Sequence, residues 1–170
     1  LLTARSAALA GAAEIVCTDI EDAPLAVARD AMGATGILNV RTDPDALDRF
    51  AADGGHFDVA FEASGSQPAL LSLFGVVRRG GRIVQVGMLP PGTAAIPVNL
   101  LQSREIELVG AFRAHDEFRL AVDLITRGVI DVRPILSGTY ALADAATALE
   151  RAGDRANVVK LHIAVSEFAG

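Results

Sequence analysis

Asp19 is the residue whose type and position in this sequence best suit ligand chemistry. It follows the apolar run Val16-Cys17-Thr18, and an acid just past a buried strand can accept hydrogen bonds from both hydroxyls of a ribose. An acid there can equally cap the next helix, and the residue types alone leave both readings open. Ile20, Glu21 and Asp22 follow, adding two acids and no cation. A ribose 2′-phosphate would set anion beside anion, so an unphosphorylated ribose is expected. Two short tips, Ala63-Ser64-Gly65 and Val86-Gly87-Met88, each end an apolar run, and Phe112-Arg113 ends another. Arg113 suits either an anionic ligand or a surface ion pair. His56, His115 and His162 show no spacing that suggests a metal or catalytic site. His115, two residues beyond Arg113, is either a substrate-side group or a solvated helix-start residue. Cys17, the single cysteine, reads as a small core hydrophobe, and alone it permits neither a disulfide nor a four-cysteine zinc cluster within the chain.

Residues 57–88 contain the elements that must position the tips. Residues 57–61 form a short apolar run, and Ser66 is a candidate N-cap. Ala69, Leu70, Leu73, Phe74 and Val77 then recur at helical spacing until Arg78-Arg79-Gly80-Gly81. Residues 83–86 begin a second strand, apolar on both faces as in a parallel sheet covered by helices. In such a βαβ unit the tips at 63–65 and 86–88 lie side by side at the carboxyl ends of the strands, where α/β sheets bind ligands.

The preceding residues follow the same grammar. Residues 1–10 read as a helix with Leu2, Ala8 and Leu9 inward, stopped by Gly11. A strand is expected over 13–18, then a helix over 23–32 with Asp22 as candidate N-cap and Pro24 in its first turn. A strand over 37–40, a helix over 44–52 and a turn at Asp53-Gly54-Gly55 complete the order β, α, β, α, β, α, β. Beyond Met88, residues 96–100 read as an extended segment at a sheet edge, 107–111 as a strand and 116–127 as a helix ended by Gly128. The register changes near 132–138. Residues 134–136 read as extended, 142–152 as a helix, and 158–165 as a strand whose alternation of Lys160 and His162 with Leu161 and Ile163 assigns it to another sheet.

The fold class is therefore α/β, a Rossmann-type doubly wound parallel sheet. Its first strand and glycine-rich turn, expected roughly 20 residues before the acid, would fall at or before residue 1. With 170 residues and 51% hydrophobic content the chain can bury a sizeable core. Its net charge of -6 argues against nucleic acid. No apolar stretch nears the roughly 20 residues that span a bilayer, so no membrane partner is expected. The small-residue opening is not read as a signal peptide, because it runs straight into a strand. A cytoplasmic setting follows by default.

The sequence resembles the carboxyl-terminal half of the zinc-dependent medium-chain alcohol/polyol dehydrogenases, nearest the branch of L-idonate 5-dehydrogenase and sorbitol dehydrogenase. The resemblance rests on VCTDI, FDVAFEASG, RRGGRIVQVGM, SREIELVGAFR and NVVKLHIAV. It implies that Asp19, with Ile20 beside it, binds the adenosine ribose of NAD. Ala63, Ser64, Gly65, Val86, Gly87 and Met88 line the nicotinamide side, Phe112 and Arg113 close over nicotinamide and substrate, and Lys160 approaches the pyrophosphate. For Lys160 a solvated strand lysine is the alternative. Residues 1–134 then form a partial NAD-binding Rossmann domain, and 135–170 the return segment of a GroES-like catalytic domain. The family passes hydride from a secondary alcohol to NAD with zinc as Lewis acid. Zinc ligands and catalytic residues are expected outside this chain, which alone should neither hold catalytic zinc nor turn over an alcohol. A small alcohol or polyol is the implied substrate, and self-association through an edge at 96–101 the implied assembly. A non-catalytic nucleotide-binding module and a methyltransferase-type Rossmann domain are the alternative functions.

Overall fold

In the computed structural model, residues 1–114 and 116–166 are described. The elements are helix α1 Leu2–Leu9, strand β1 Val16–Asp19, α2 Asp22–Ala31, β2 Gly36–Asn39, β3 Phe57–Glu62, α3 Gln67–Val76, β4 Val77–Gln85, α4 Val98–Ser103, β5 Glu107–Gly110, α5 Glu117–Thr126, β6 Leu136–Ala141, α6 Ala145–Ala152 and β7 Lys160–Ala164. All strand pairings are parallel, in sheets ordered β1-β2, β3-β4-β5 and β6-β7. The chain forms two compact units, Leu1–Pro44 with Asp116–Gly170, and Asp45–His115.

The second unit is the expected βαβ crossover with a third strand added. Leu70, Phe74, Val77, Ile83 and Ile106 form its buried core, closed by Leu73, Leu100, Leu101 and Leu108. Phe74, 1% exposed, is a side chain whose truncation to alanine costs about 3 to 5 kcal/mol in such cores. Arg78-Arg79-Gly80-Gly81 lies inside β4 rather than at the end of α3. Val77 pairs with Phe57 and Arg82 with Val59, so these four residues loop out where the partner strand has one. The Arg104 guanidinium caps α3, donating from Nη1 to the Phe74 carbonyl at 2.7 Å and from Nη2 to that of Val77 at 2.6 Å. It places a cation at the negative end of the helix dipole.

Two expectations fail in this unit. The helix expected over 44–52 is replaced by 3-10 turns at Asp48–Phe50 and Ala52–Gly54, held by bonds three residues apart such as Phe50 N–H to the Leu47 carbonyl at 2.9 Å. The segment carries three aspartates, a residue type that disfavours a helix interior, and the backbone takes positive φ at Asp53, Gly54 and Gly55. The extended edge expected at 96–101 is the helix α4, with the Pro97 carbonyl accepting from Leu100 and Leu101 N–H. Ile96, Leu100 and Leu101 face the core while Val98 is 59% exposed. That spacing is helical rather than alternating. A helix has no open strand ladder, so association through an edge at 96–101 is withdrawn.

In the first unit, Ala4, Ile15 and Met32 are the buried centre, flanked by Leu1, Ala7, Ala8, Val27 and Ile135. Leu2 and Leu9, expected inward, are 46% and 43% exposed, because the inward stripe of α1 runs through Leu1, Ala4 and Ala8. Asp22 does not cap α2. The cap position is Glu21, and the Asp22 carboxylate instead accepts from Asn39 Nδ2 at 2.6 Å. Of residues 134–136, expected extended, Pro134 and Ile135 lie in the 3-10 turn Arg133–Ile135 and Leu136 opens β6 as expected. β7 pairs with β6 alone and is exposed at Lys160 and His162, as its alternation predicts. Among the described residues no helix is long and apolar enough to cross a membrane.

Candidate functional site

The carboxyl ends of β3 and β4 build a rim of two tips. Glu62, the last residue of β3, is 2% exposed and makes hydrogen bonds with both of its oxygens. Oε1 accepts from Ser64 N–H at 2.7 Å, Ser64 Oγ at 2.5 Å and Gly65 N–H at 3.0 Å, while Oε2 accepts from Gln85 Nε2 at 2.6 Å and shares the Gly65 N–H at 3.1 Å. Its backbone carbonyl accepts from Val86 and Gly87 N–H at 2.8 and 2.9 Å. Burial pushes the Glu62 carboxyl up, but the bonds from Ser64, Gly65 and Gln85 outweigh it, and the group sits below the usual carboxylate range. Gln85 also donates to the Gly87 carbonyl at 2.7 Å, so its amide joins the tips.

Glycine is required at both tips by close approach. A Cβ on Gly65, whose φ is +72°, would strike the Met88 carbonyl, and one on Gly87 would strike the Gly65 amide and come within 2.7 Å of Glu62 Oε2. The structure thus brings Ala63-Ser64-Gly65 and Val86-Gly87-Met88 together as the sequence predicts, with Met88 79% exposed.

Asp19 ends β1 in the other unit. Its Oδ1 accepts from the N–H of Ile20 at 2.7 Å and of Glu21 at 3.0 Å, and Oδ2 accepts no hydrogen bond among the described residues. The carboxylate is fixed by its own turn and keeps one oxygen for a ligand, which fits a ribose hydroxyl. It lies in the turn before α2, two residues ahead of the Glu21 cap position. Ile20 beside it is 46% exposed. The expectation that no cation lies near these acids needs correction. Arg41, just after β2, donates from Nη2 to Glu21 Oε1 at 2.5 Å. A contact across 20 residues leaves no local sequence signal.

Phe112 and Arg113 follow β5 and are exposed, Phe112 at 71%. Arg113 takes a left-handed φ of +59° and stacks its guanidinium 4.9 Å from the Phe112 ring centre, and it forms no ion pair among the described residues. A non-glycine residue held there marks a functional candidate. Lys160 opens β7, exposed beside an apolar groove lined by Ala148, Leu149 and Val158. Cys17 is half-buried and burial pushes its thiol up, as suits an inert core residue. His115 lies outside the described residues. Among those residues no three His, Cys, Asp or Glu side chains gather to hold a metal, so the described part of the chain does not fit a zinc site.

Parallel strands with ligand-facing tips and an acid after β1 define the nucleotide-binding class of α/β fold. The sequence matches the zinc-binding dehydrogenase family over residues 1–127, and the chain belongs to that family. It is 39% identical over 153 residues to the L-idonate 5-dehydrogenase (NAD(P)(+)) of Escherichia coli K12, a match covering 90% of this chain and 43% of that enzyme. It is 34% identical over 157 residues to the sorbitol dehydrogenase of Bacillus subtilis 168, covering 89% and 43%. The crystal structure of the E. coli L-idonate 5-dehydrogenase is similar at a TM-score of 0.87 and 36% identity, over 95% of this chain and 45% of that one. The chain thus spans just under half the length of these relatives.

Proposed function

We propose that this chain is the dinucleotide-binding part of an oxidoreductase that passes hydride between a secondary alcohol, of the polyol or sugar-acid class, and NAD. The observation that carries the proposal is the Asp19 carboxylate, held on Oδ1 by its own turn with Oδ2 left for a ribose hydroxyl. In this reading Asp19 and Ile20 meet the adenosine ribose. Ala63, Ser64, Gly65, Val86, Gly87 and Met88 form the wall for the nicotinamide end. Phe112 and Arg113 cover nicotinamide and substrate, and Lys160 serves the pyrophosphate. Bound NAD would supply the hydride acceptor, and these residues would bind and orient it. Residues 1–134 are the nucleotide-binding part and 135–170 the return into a catalytic domain, a division supported by the separate β6-β7 sheet. The setting proposed is cytoplasmic.

NAD is preferred over NADP in this reading, although the name of the E. coli relative covers both dinucleotides. Arg41, the cation that follows β2, is paired with Glu21, whose side chain is only 18% exposed. In the full-length protein, Asp19→Ala should weaken NAD binding about tenfold, the effect of losing hydrogen bonds to a charged group, and raise relative use of NADP. Titration with both dinucleotides reads this. Unchanged affinity and preference would reduce Asp19 to a turn residue and remove the proposal's support.

A further inference from the structure

The rim's N–H groups point to the residue that shapes it. Ser64 and Gly65 donate to the Glu62 carboxylate, and Val86 and Gly87 donate to the Glu62 carbonyl. These four N–H groups are satisfied within the protein, so they are not left to cradle an anion at the rim. Glu62 is fully buried, so a ligand does not touch it, and the tips it bonds meet backbone to backbone at Gly65 and Gly87.

We infer that Glu62 is a positioning residue that sets the geometry and polarity of the nicotinamide-side wall, acting through Ser64, Gly65 and Gln85 rather than by touching the dinucleotide. The inference rests on the proposed dinucleotide reading. Glutamine at 62 keeps the shape but turns an amide NH2 toward either the Gln85 NH2 or the Gly65 N–H. Donor then faces donor, or the Gln85 amide turns its unpartnered Oε1 to accept and gives up its bond to the Gly87 carbonyl; either way a bond that holds the wall is lost. A ligand that lacks the nicotinamide end does not meet the wall and should not sense the change.

The test compares NADH with ADP-ribose on the full-length protein, with thermal melting as the check on folding. Glu62→Gln should raise the dissociation constant for NADH about tenfold and leave ADP-ribose within about twofold, as expected when a buried bond is lost at one end of the site only. Equal weakening of both ligands would show a merely structural role, and no change in either would show no role. Both results overturn the inference. If the unaltered protein binds neither ligand, the dinucleotide reading itself fails. Should Glu62→Gln not fold, Ser64→Ala removes the hydroxyl bond to Oε1 and the weaker, exposed one that the hydroxyl accepts from Ser66 N–H, and should give the same split at about threefold. A ratio of the two affinities unmoved by Ser64→Ala then overturns the inference.

Discussion

Asp19 and Glu62 are the same kind of residue in the same kind of place, a carboxylate ending a parallel strand, yet they do opposite things. Asp19 accepts two neighbouring N–H groups on one oxygen and leaves the other free, partly exposed. Glu62, one methylene longer and beside Gln85, engages both oxygens and is buried. Burial of a charge is tolerated only when hydrogen bonds replace the lost water, and the free oxygen of Asp19 would be costly in the Glu62 environment. A carboxylate at a strand end therefore either meets a ligand or builds the surface that meets one. The number of its internal donors decides which.

The comparison breaks most visibly in stability. Glu62→Ala should cost about 3 kcal/mol, because Ser64, Gly65 and Gln85 donors lose their acceptor in a buried site, whereas Asp19→Ala should cost under about 1 kcal/mol, since water reaches the groups it frees. Denaturant unfolding of both variants checks the ratio, and equal costs would erase the distinction. The same difference has a pH signature. The folded-state pKa of Glu62 is lowered, so its contribution is present above the ordinary glutamate value and is lost as pH falls through the depressed one. Stability of the unaltered protein should fall with acidification below about pH 4.5 more steeply than that of Glu62→Gln.

Arg104 offers an intermediate case, a part-buried cation whose guanidinium holds three carbonyls at the end of α3. Arg104→Met keeps the aliphatic stem but removes those bonds and should cost about 2 kcal/mol, with Arg104→Lys recovering only part because an ammonium lacks the planar fork. Full recovery by lysine would mean that the helix dipole, not the fork, is what Arg104 serves.

Much of this was legible in the sequence where local pattern and tertiary demand agree. The βαβ unit shows itself because its apolar runs are bounded by glycine and serine tips, and the meeting of those tips follows from strand direction alone. Residues 96–101 misled because four apolar residues around a proline suit a strand or a helix, and only packing against Leu70 and Phe74 selects the helical face. Glu62 stands in the sequence between an apolar run and the Ala63-Ser64-Gly65 tip, with nothing local to mark it as buried. Its partner Gln85 is 23 residues away, as Arg41 is 20 from Glu21 and Arg104 is 30 from Phe74. Such pairings have no period to detect. The clue available was the repeated pattern itself, an acid closing an apolar strand at both 19 and 62.

The smallest effect sharpens the contrast from the other end of the same sheet. At the amino-terminal side of the β4 and β5 pairing, Arg82 donates to Glu107 with Nε at 2.6 Å, a shorter contact than most around Glu62, but both side chains are more than half exposed. Short distance does not make this pair valuable. Water competes for each partner, holding two long side chains in one arrangement costs entropy, and salt screens what attraction remains. A double-mutant cycle of Arg82→Ala and Glu107→Ala should give a coupling of about 0.5 kcal/mol or less, vanishing in about 1 M salt, while the loss in Glu62→Ala should hardly change with salt. A salt-resistant coupling of Glu62 size between Arg82 and Glu107 would mean that burial is not what separates the two ends of the sheet.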